Sequence, residues 1–317
     1  LKYLNEDGGI VSYLSSYKVV FEVSDVLRLL QFSEGSKNNP PKLINPPQAG
    51  HGGWIVDLKP GNSMVEVAIK NSEGSVYVID YLSCTPERKN EGIEDLINQI
   101  GLCVDFIISE TEQKVDMIGL CQGGWSSVIY VCLNHEKINS FTGAGVPFNF
   151  HASDSALIGA RNYNLSTYKA LVRMQGGVIL GDWMLTNWMM LDPATHMSKW
   201  PLVMSHRLFN GWKNADRFEQ WYYKDTRNIA GVWYLWCIEN IFLENNLFEN
   251  NIFINGMHAD LNNLRKLERV NLIAGGEDDI TPMDHVFDLC RYVHANLYLI
   301  EGAGHIGVFM GSNGLKD

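Results

Sequence analysis

The stretch Lys114–Asn134, KVDMIGLCQGGWSSVIYVCLN, decides how the rest of the chain is read. Val115, Met117 and Ile118 make an apolar run that stops at Gly119-Leu120-Cys121-Gln122-Gly123-Gly124. Val128, Ile129, Val131 and Leu133 then recur at a spacing that buries one face of a helix. A strand is expected over Val115–Leu120 and a helix over Gln122–Asn134, with no loop between them. So tight a turn strains the backbone of its central residue and leaves no room for side chains at its flanks. Gly119 and Gly123 meet that need, and Gly124 lets the helix lie close on the sheet. The pattern is a nucleophile elbow, G-x-nucleophile-x-G, which lifts the Cys121 sulfur above the sheet edge at a helix N-terminus, where the dipole favours a thiolate.

The same strand-then-helix rhythm extends in both directions. Further strands are expected at Lys42–Pro47, Ser75–Asp80, Phe141–Val146, Val270–Gly275 and Asn296–Ile300, and further helices at Asn62–Asn71, Gly92–Glu110 and Asp284–His294. Continuously apolar strands alternating with helices indicate an α/β, mainly parallel, doubly wound sheet covered on both faces. The alternation is interrupted between residues 148 and 265. That stretch carries Trp183, Trp188, Trp200, Trp212, Trp221, Trp233 and Trp236 together with Met184, Met189, Met190, Met197 and Met204. We read it as a mostly helical cap inserted before the acid-bearing strand, between a first core part (1–147, with an N-terminal extension) and a second (266–317). Most of these aromatics are expected to form the cap's own core. A cap so placed can still wall a pocket over the strand C-termini, where open α/β sheets bind ligands.

Composition narrows the function further. The 317 residues carry a net charge of −11 with no Lys/Arg cluster, which argues against nucleic acid as a partner. No apolar run reaches the roughly 20 residues of a membrane span. The six cysteines (Cys84, Cys103, Cys121, Cys132, Cys237, Cys290) make no C-x-x-C pair and no zinc-spaced cluster, so no metal or cofactor is expected, and reduced thiols in a cytoplasmic setting fit them best. The first residues lack the pattern of a signal peptide, and a chain beginning at Leu1 leaves room for an upstream segment.

A cysteine nucleophile needs a base, and in this strand order an acid and then a histidine should follow. Gly275-Gly276-Glu277-Asp278-Asp279-Ile280-Thr281-Pro282 follows the fifth expected strand, and Glu301-Gly302-Ala303-Gly304-His305-Ile306 follows the sixth. Cys121, Asp278 and His305 thus lie at the C-terminal ends of three strands, with Asp279 the alternative acid. His305 would take the Cys121 proton while Asp278 fixes the imidazole tautomer. Acyl chemistry also needs an oxyanion hole. The backbone N–H of Gln122 is one expected donor, and Ala49 or Gly50, in the Gly-rich loop Gln48–Gly53, is the other. His51 is open to two roles, contact with substrate or support of the loop.

With these residues in place, the chain resembles the polyhydroxyalkanoate synthase family, enzymes of the α/β-hydrolase fold with a cysteine nucleophile. The resemblance runs from about Asn39 to Gly311. GLCQGG is similar to the synthases' modified lipase box, and PPQAGHGGWIVDLKPGNSMVE to the segment after their first core strand, with its I-x-D-L and S-x-V pattern. FEQWYYKDTRNIAGVWYL, ENNLF and GMHADLNNL resemble the late cap, GEDDITP the acid loop and GAGHIGVF the histidine loop. Two features depart from the synthases: Asp279 stands where they typically carry a His, and the D-D-I sequence with the Ala49-Gly50-His51 loop looks more like intracellular polyhydroxybutyrate depolymerases. Those enzymes in turn usually lack the two glycines supplied here by Gly123 and Gly124.

The resemblance implies a Cys-bound acyl-enzyme with hydroxyacyl-CoA or polyester as substrate, a homodimer or a second synthase subunit as partner, and association with polymer granules in the cytoplasm. It leaves synthesis and hydrolysis both open. A dienelactone hydrolase-type esterase is a third reading, though such enzymes are shorter and lack the long cap. A non-catalytic scaffold is a fourth, against which the complete triad argues. The chain stops soon after His305, so the helix that usually closes this fold is expected to be short or missing.

Overall fold

The computed structural model describes residues 13–48, 50–191, 217–218 and 220–311. Its centre is an eight-stranded sheet. In chain order the strands are β1 (Lys18–Ser24), β2 (Leu27–Ser33), β3 (Lys42–Asn45), β4 (Val76–Tyr81), β5 (Val115–Leu120), β6 (Ile138–Ala144), β7 (Arg269–Gly275) and β8 (Asn296–Ile300). Their spatial order is β1-β2-β4-β3-β5-β6-β7-β8. β2 runs antiparallel to both of its neighbours, and every pair from β4 to β8 is parallel. The six expected strands are therefore present, and Val115–Leu120 and Asn296–Ile300 have the expected limits.

One difference lies at the start. KLINPP was expected to open the sheet, but it lies in the third strand, after the hairpin KVVFEVS/LRLLQFS. Each of these runs is interrupted by charged or polar residues (Lys18, Glu22 and Ser24; Arg28, Gln31 and Ser33) and β1 is an edge strand, so neither has the continuous apolar signature of the interior strands. The short Asp25-Val26 turn between them was the available hairpin signal.

The helices cover both faces. α1 (Met64–Lys70) and α8 (His305–Met310) pack on one side through Val65, Ala68, Val308 and Phe309. α2 (Ile93–Thr111) and α3 (Gln122–Leu133) pack on the other, and α3 buries every residue from Gly123 to Cys132. α1 starts where Ser63 Oγ accepts the Glu66 N–H at 3.0 Å. The same hydroxyl donates to Asp57 at 2.6 Å, so the I-x-D-L and S-x-V pattern closes one buried turn.

The helix expected over Asp284–His294 is shorter. α7 spans Met283–Phe287 and gives way to a 3-10 turn at Asp288–Arg291. The physical reason is the His285 carbonyl, which accepts the N–H groups of Phe148 (2.9 Å) and Asn149 (3.0 Å) from the loop after β6. It is then drawn away from the Leu289 N–H that would continue the helix.

Between β6 and β7 the described residues form α4 (Leu165–Met174), α5 (Gly181–Leu191) and α6 (Gly231–Cys237), with π-helical turns at Gln220–Lys224 and Ile238–Leu243. Two small strand pairs, Val178–Ile179 with Ile229–Ala230 and Phe253–Ile254 with Met257–His258, complete this part. Trp233 stacks on Trp125 of α3 and Trp236 lies tilted against it, with ring centroids 6.0 and 5.7 Å away, so these tryptophans anchor α6 to the core. Trp200, Trp212, Met197 and Met204 lie outside the described residues.

Candidate active site

Cys121 stands between β5 and α3 with φ 46° and ψ −115°. L-residues avoid this region, and such strain persists only where the surroundings over-determine it. Here they do. The Cys121 N–H donates to Ala144 O of β6 at 3.0 Å, and its carbonyl accepts from Gly124 N at 3.0 Å. A Cβ on Gly119 would meet the Gly124 backbone, one on Gly123 the Asn45 carbonyl, and one on Gly124 the Val146 side chain. Asn45, fully buried at the end of β3, ties the elbow down by donating to Gly123 O and Ser127 Oγ, both at 3.0 Å. Its Oδ1 accepts from Tyr81 Oη at 2.7 Å. Sequence reasoning missed Asn45 and Tyr81. An Asn ending an apolar strand was the only hint, since its partners lie more than 30 residues away.

The acid and histidine loops meet beside the elbow. His305 is the first residue of α8, and its Nδ1 lies 2.8 Å from Asp278 Oδ2. Asp278 is buried, and its Oδ1 accepts the N–H groups of Ile280 (3.0 Å) and Thr281 (2.8 Å). Asp279 is exposed and turns its backbone carbonyl to Ala156 N, so Asp278 is the carboxylate that the fold brings to the imidazole. Thr281 was also missed. Its fully buried hydroxyl sits 2.9 Å from Asp278 Oδ2, 3.1 Å from His305 Nδ1 and 3.1 Å from Gly145 O, locking the two loops together.

Cys121 acts electrostatically on His305 from its other side. With Nδ1 committed to Asp278, Nε2 is the nitrogen left to face it. Burial works against a charged imidazole, yet Cys121 on one side and the Asp278 carboxylate on the other outweigh it and push His305 up to about 10. Burial likewise opposes charge on Asp278, but His305 and the Thr281 hydrogen bonds prevail and hold its carboxyl below the usual carboxylate value. Such a trio can transfer a proton and form a covalent bond at sulfur.

The expected oxyanion donors fare differently. As the first residue of α3, Gln122 has an N–H with no acceptor inside the helix, beside Cys121. Gly50, at φ +80°, instead donates its N–H to Gln48 O at 2.8 Å, so that amide is used within the loop. Ala49 lies outside the described residues. His51 is buried, stacks on Tyr222 with centroids 5.2 Å apart, and places Nε2 3.0 Å from Tyr222 O, so it supports the loop. Leu185 and Met189 of α5, Phe218, Tyr223 and Ile306 pack in the same apolar cluster as Cys121. Among the described residues no group of three or more His, Cys, Asp or Glu side chains is placed to hold a metal ion, and no helix is long and apolar enough to cross a membrane.

Comparison with solved structures defines the class first. The chain aligns with a monoacylglycerol lipase from Paleococcus ferrophilus (15% identity, TM-score 0.52, 88% of this chain and 90% of that one). It aligns equally with a carboxylesterase structure from Nitrososphaera gargenis (15% identity, TM-score 0.52, 92% of both chains). The chain has the α/β-hydrolase fold.

Sequence comparison then narrows the class. Residues 167–316 match the family described as PHB de-polymerase C-terminus. The chain is 26% identical over 287 residues to the poly(3-hydroxyalkanoate) polymerase subunit PhaC of Haloferax mediterranei, covering 87% of this chain and 55% of that protein. It is 25% identical over 334 residues to the PhaC of Synechocystis, covering 100% of this chain and 85% of that protein. Against the PhaC of Haloarcula marismortui it spans 46% of the relative's length, so the chain spans about half the length of the two haloarchaeal proteins it matches. Within the α/β-hydrolase fold, this chain is thus similar to polyhydroxyalkanoate polymerase subunits over most of its length, and to the PHB de-polymerase C-terminus over residues 167–316.

Proposed function

We propose that the chain is a polyhydroxyalkanoate synthase-like acyltransferase whose Cys121 carries the acyl group. The observation that carries this assignment is His305, held between Asp278 and Cys121 over a strained elbow. His305 holds the proton that Cys121 gives up, and Sγ attacks the thioester carbonyl of hydroxyacyl-CoA. The oxyanion faces the Gln122 N–H and then collapses, and the CoA sulfur leaves with the proton from Nε2. One thioester replaces another, so the acyl group stays activated. The hydroxyl of the next unit then gives its proton to His305 and attacks the acyl carbonyl, forming the ester and releasing Sγ. Residues 148–265 act as the cap between core parts 1–147 and 266–317. Leu185, Met189, Phe218 and Tyr223 give the acyl-enzyme an apolar wall that disfavours water as the acceptor. The same assignment implies a cytoplasmic protein working at polymer granules, as a homodimer or with a second synthase subunit.

A second reading has its own support. The match of residues 167–316 to the PHB de-polymerase C-terminus favours the same acyl-enzyme opened by water, an intracellular polyester depolymerase. Incubation with 3-hydroxybutyryl-CoA separates the two. CoA release with polymer formation supports the synthase, whereas loss of amorphous polymer with release of soluble hydroxy acids supports the depolymerase. Under both, Cys121→Ala lowers kcat by roughly 10³-fold or more, and substantial residual turnover in that variant removes Cys121 from the chemistry.

A further inference from the structure

We infer that β8 is a pairing edge for a second copy of this chain, joined antiparallel about a two-fold axis at Tyr298, so that two eight-stranded sheets become one. This gives the homodimer proposed above its interface and draws nothing from the acyl-transfer chemistry. Among the described residues β8 pairs with β7 alone, which leaves an outer row of backbone N–H and C=O groups as a template for another strand. Successive side chains of a strand point to opposite faces, yet Leu297 (50%), Tyr298 (51%) and Leu299 (47%) are all about half exposed. The apolar strand is therefore open along its edge and on both faces. β1, at the other edge of the sheet, is built differently. It carries Lys18 and Glu22, its pairing with β2 shifts register twice, and Phe21 stacks on Phe106 of α2 at 5.2 Å. Charges, bulges and a covering helix keep a sheet edge from pairing. β8, with the sequence NLYLI, has no charge, no proline and no register shift.

The order of residues along this edge selects a second copy turned end for end. Antiparallel pairing centred on Tyr298 sets Tyr298 against the partner's Tyr298 and Leu297 against the partner's Leu299. Apolar and aromatic cross-strand pairs of this kind stabilise a sheet. The two ends of the strand differ in charge. Arg265, Lys266, Arg269, Arg291 and His294 lie exposed at its start, with Glu268 between them, whereas Glu277, Asp279 and Glu301 lie exposed at its finish. An antiparallel copy lays the acidic finish of each strand beside the basic start of the other, and a parallel copy would set like charges together. A cleft of about 600 Å³ opens at the basic start, lined by Leu267, Arg269, His294, Ala295 and Leu297 among others. In the centred register the partner's Glu301 falls opposite Ala295, beside that cleft. The two-fold makes the contact self-complementary and closes it at two copies. Each Cys121 stays at the C-terminal end of its own β5, so the two sites face opposite ends of the joined sheet.

Residue 298 meets its own copy only in this arrangement, and a cysteine there reports it. Facing Cα atoms of an antiparallel pair lie about 4.5–5.5 Å apart, within the span of a disulfide. Leu297 and its own copy are offset along the strands, beyond the roughly 7 Å limit. In a Cys290→Ser background, which removes the exposed cysteine, Tyr298→Cys is expected to give a disulfide-linked dimer on mild oxidation, at least about tenfold faster than Leu297→Cys. Wild type is expected to sediment as a dimer at tens of micromolar. Tyr298→Lys puts like charges face to face and should weaken that dimer at least about tenfold, with an unchanged far-UV circular dichroism spectrum. A wild type that stays monomeric at that concentration overturns the second copy as the occupant of the edge. A dimer that Tyr298→Lys leaves intact overturns it too, by placing the contact on another face. Equal cross-linking at 297 and 298 overturns the two-fold register.

Discussion

His305 is held by two groups that favour its charged form, Cys121 and Asp278. The imidazole sits between Asp278 and Cys121, and this raises its pKa to about 10 against the burial that opposes it. The sign of the consequence is fixed. A raised histidine contributes stability that is fully present below its ordinary value near 6.5 and is lost as pH rises through about 10. Asp278, held below its ordinary value, contributes stability present above that value and lost as pH falls further into the acid range. Histidine NMR of the wild type should therefore show His305 still doubly protonated at pH 8. Cys121→Ala removes one of the two raising influences and should move its titration down; a midpoint unchanged in that variant would mean that Asp278 alone sets it. The choice between Asp278 and Asp279 also belongs to this scale. The sequence offers two adjacent carboxylates, and only the folded loop buries one against the ring.

At the scale of elements, the elbow is a joint between β5 and α3 in which three glycines make room for three different neighbours. Gly124 faces the Val146 side chain, whereas Gly123 faces the Asn45 backbone. Gly124→Ala should destabilise by about 1–3 kcal/mol through overpacking, measured by urea denaturation. Adding Val146→Ala should recover part of that loss, because a side chain can be shortened. Val146→Ala in a Gly123→Ala background should recover none, since the obstacle there is main chain. The spacing of G-L-C-Q-G-G made this joint legible, because a steric rule over six residues needs no distant partner. The broken helix after Met283 was not legible, since its cause is the capture of the His285 carbonyl by Phe148 and Asn149, well over a hundred residues earlier in the chain.

For the whole molecule, large side chains are among the ties that hold the segment between β6 and β7 to the core. Trp233 and Trp236 pack on Trp125 of α3, and Arg227 joins Asp80 of β4. Asp80 has a second cation, Arg28 at 2.8 Å, and also accepts from Tyr13 Oη at 3.0 Å. Arg227→Ala leaves a fully buried carboxylate with part of its compensation and leaves Asp225 without its cation. Its cost in chemical denaturation should be about 3 kcal/mol. A change below about 0.5 kcal/mol would show that Arg28 and Tyr13 suffice for Asp80.

The sequence by itself determined the parallel sheet, the elbow, and the chain order of Cys121, Asp278 and His305 at strand ends. Each is written in a local pattern: continuous apolar runs, glycines at a turn, a charged residue just past a strand end. Only the tertiary structure decided what holds those groups to the geometry of a reaction. Asn45 and Tyr81 under the elbow, and Thr281 between the acid and the ring, join positions that no sequence window contains. The physical reason is that a hydrogen bond depends on where two groups lie in space. A steric rule at a turn depends only on the residues that make it.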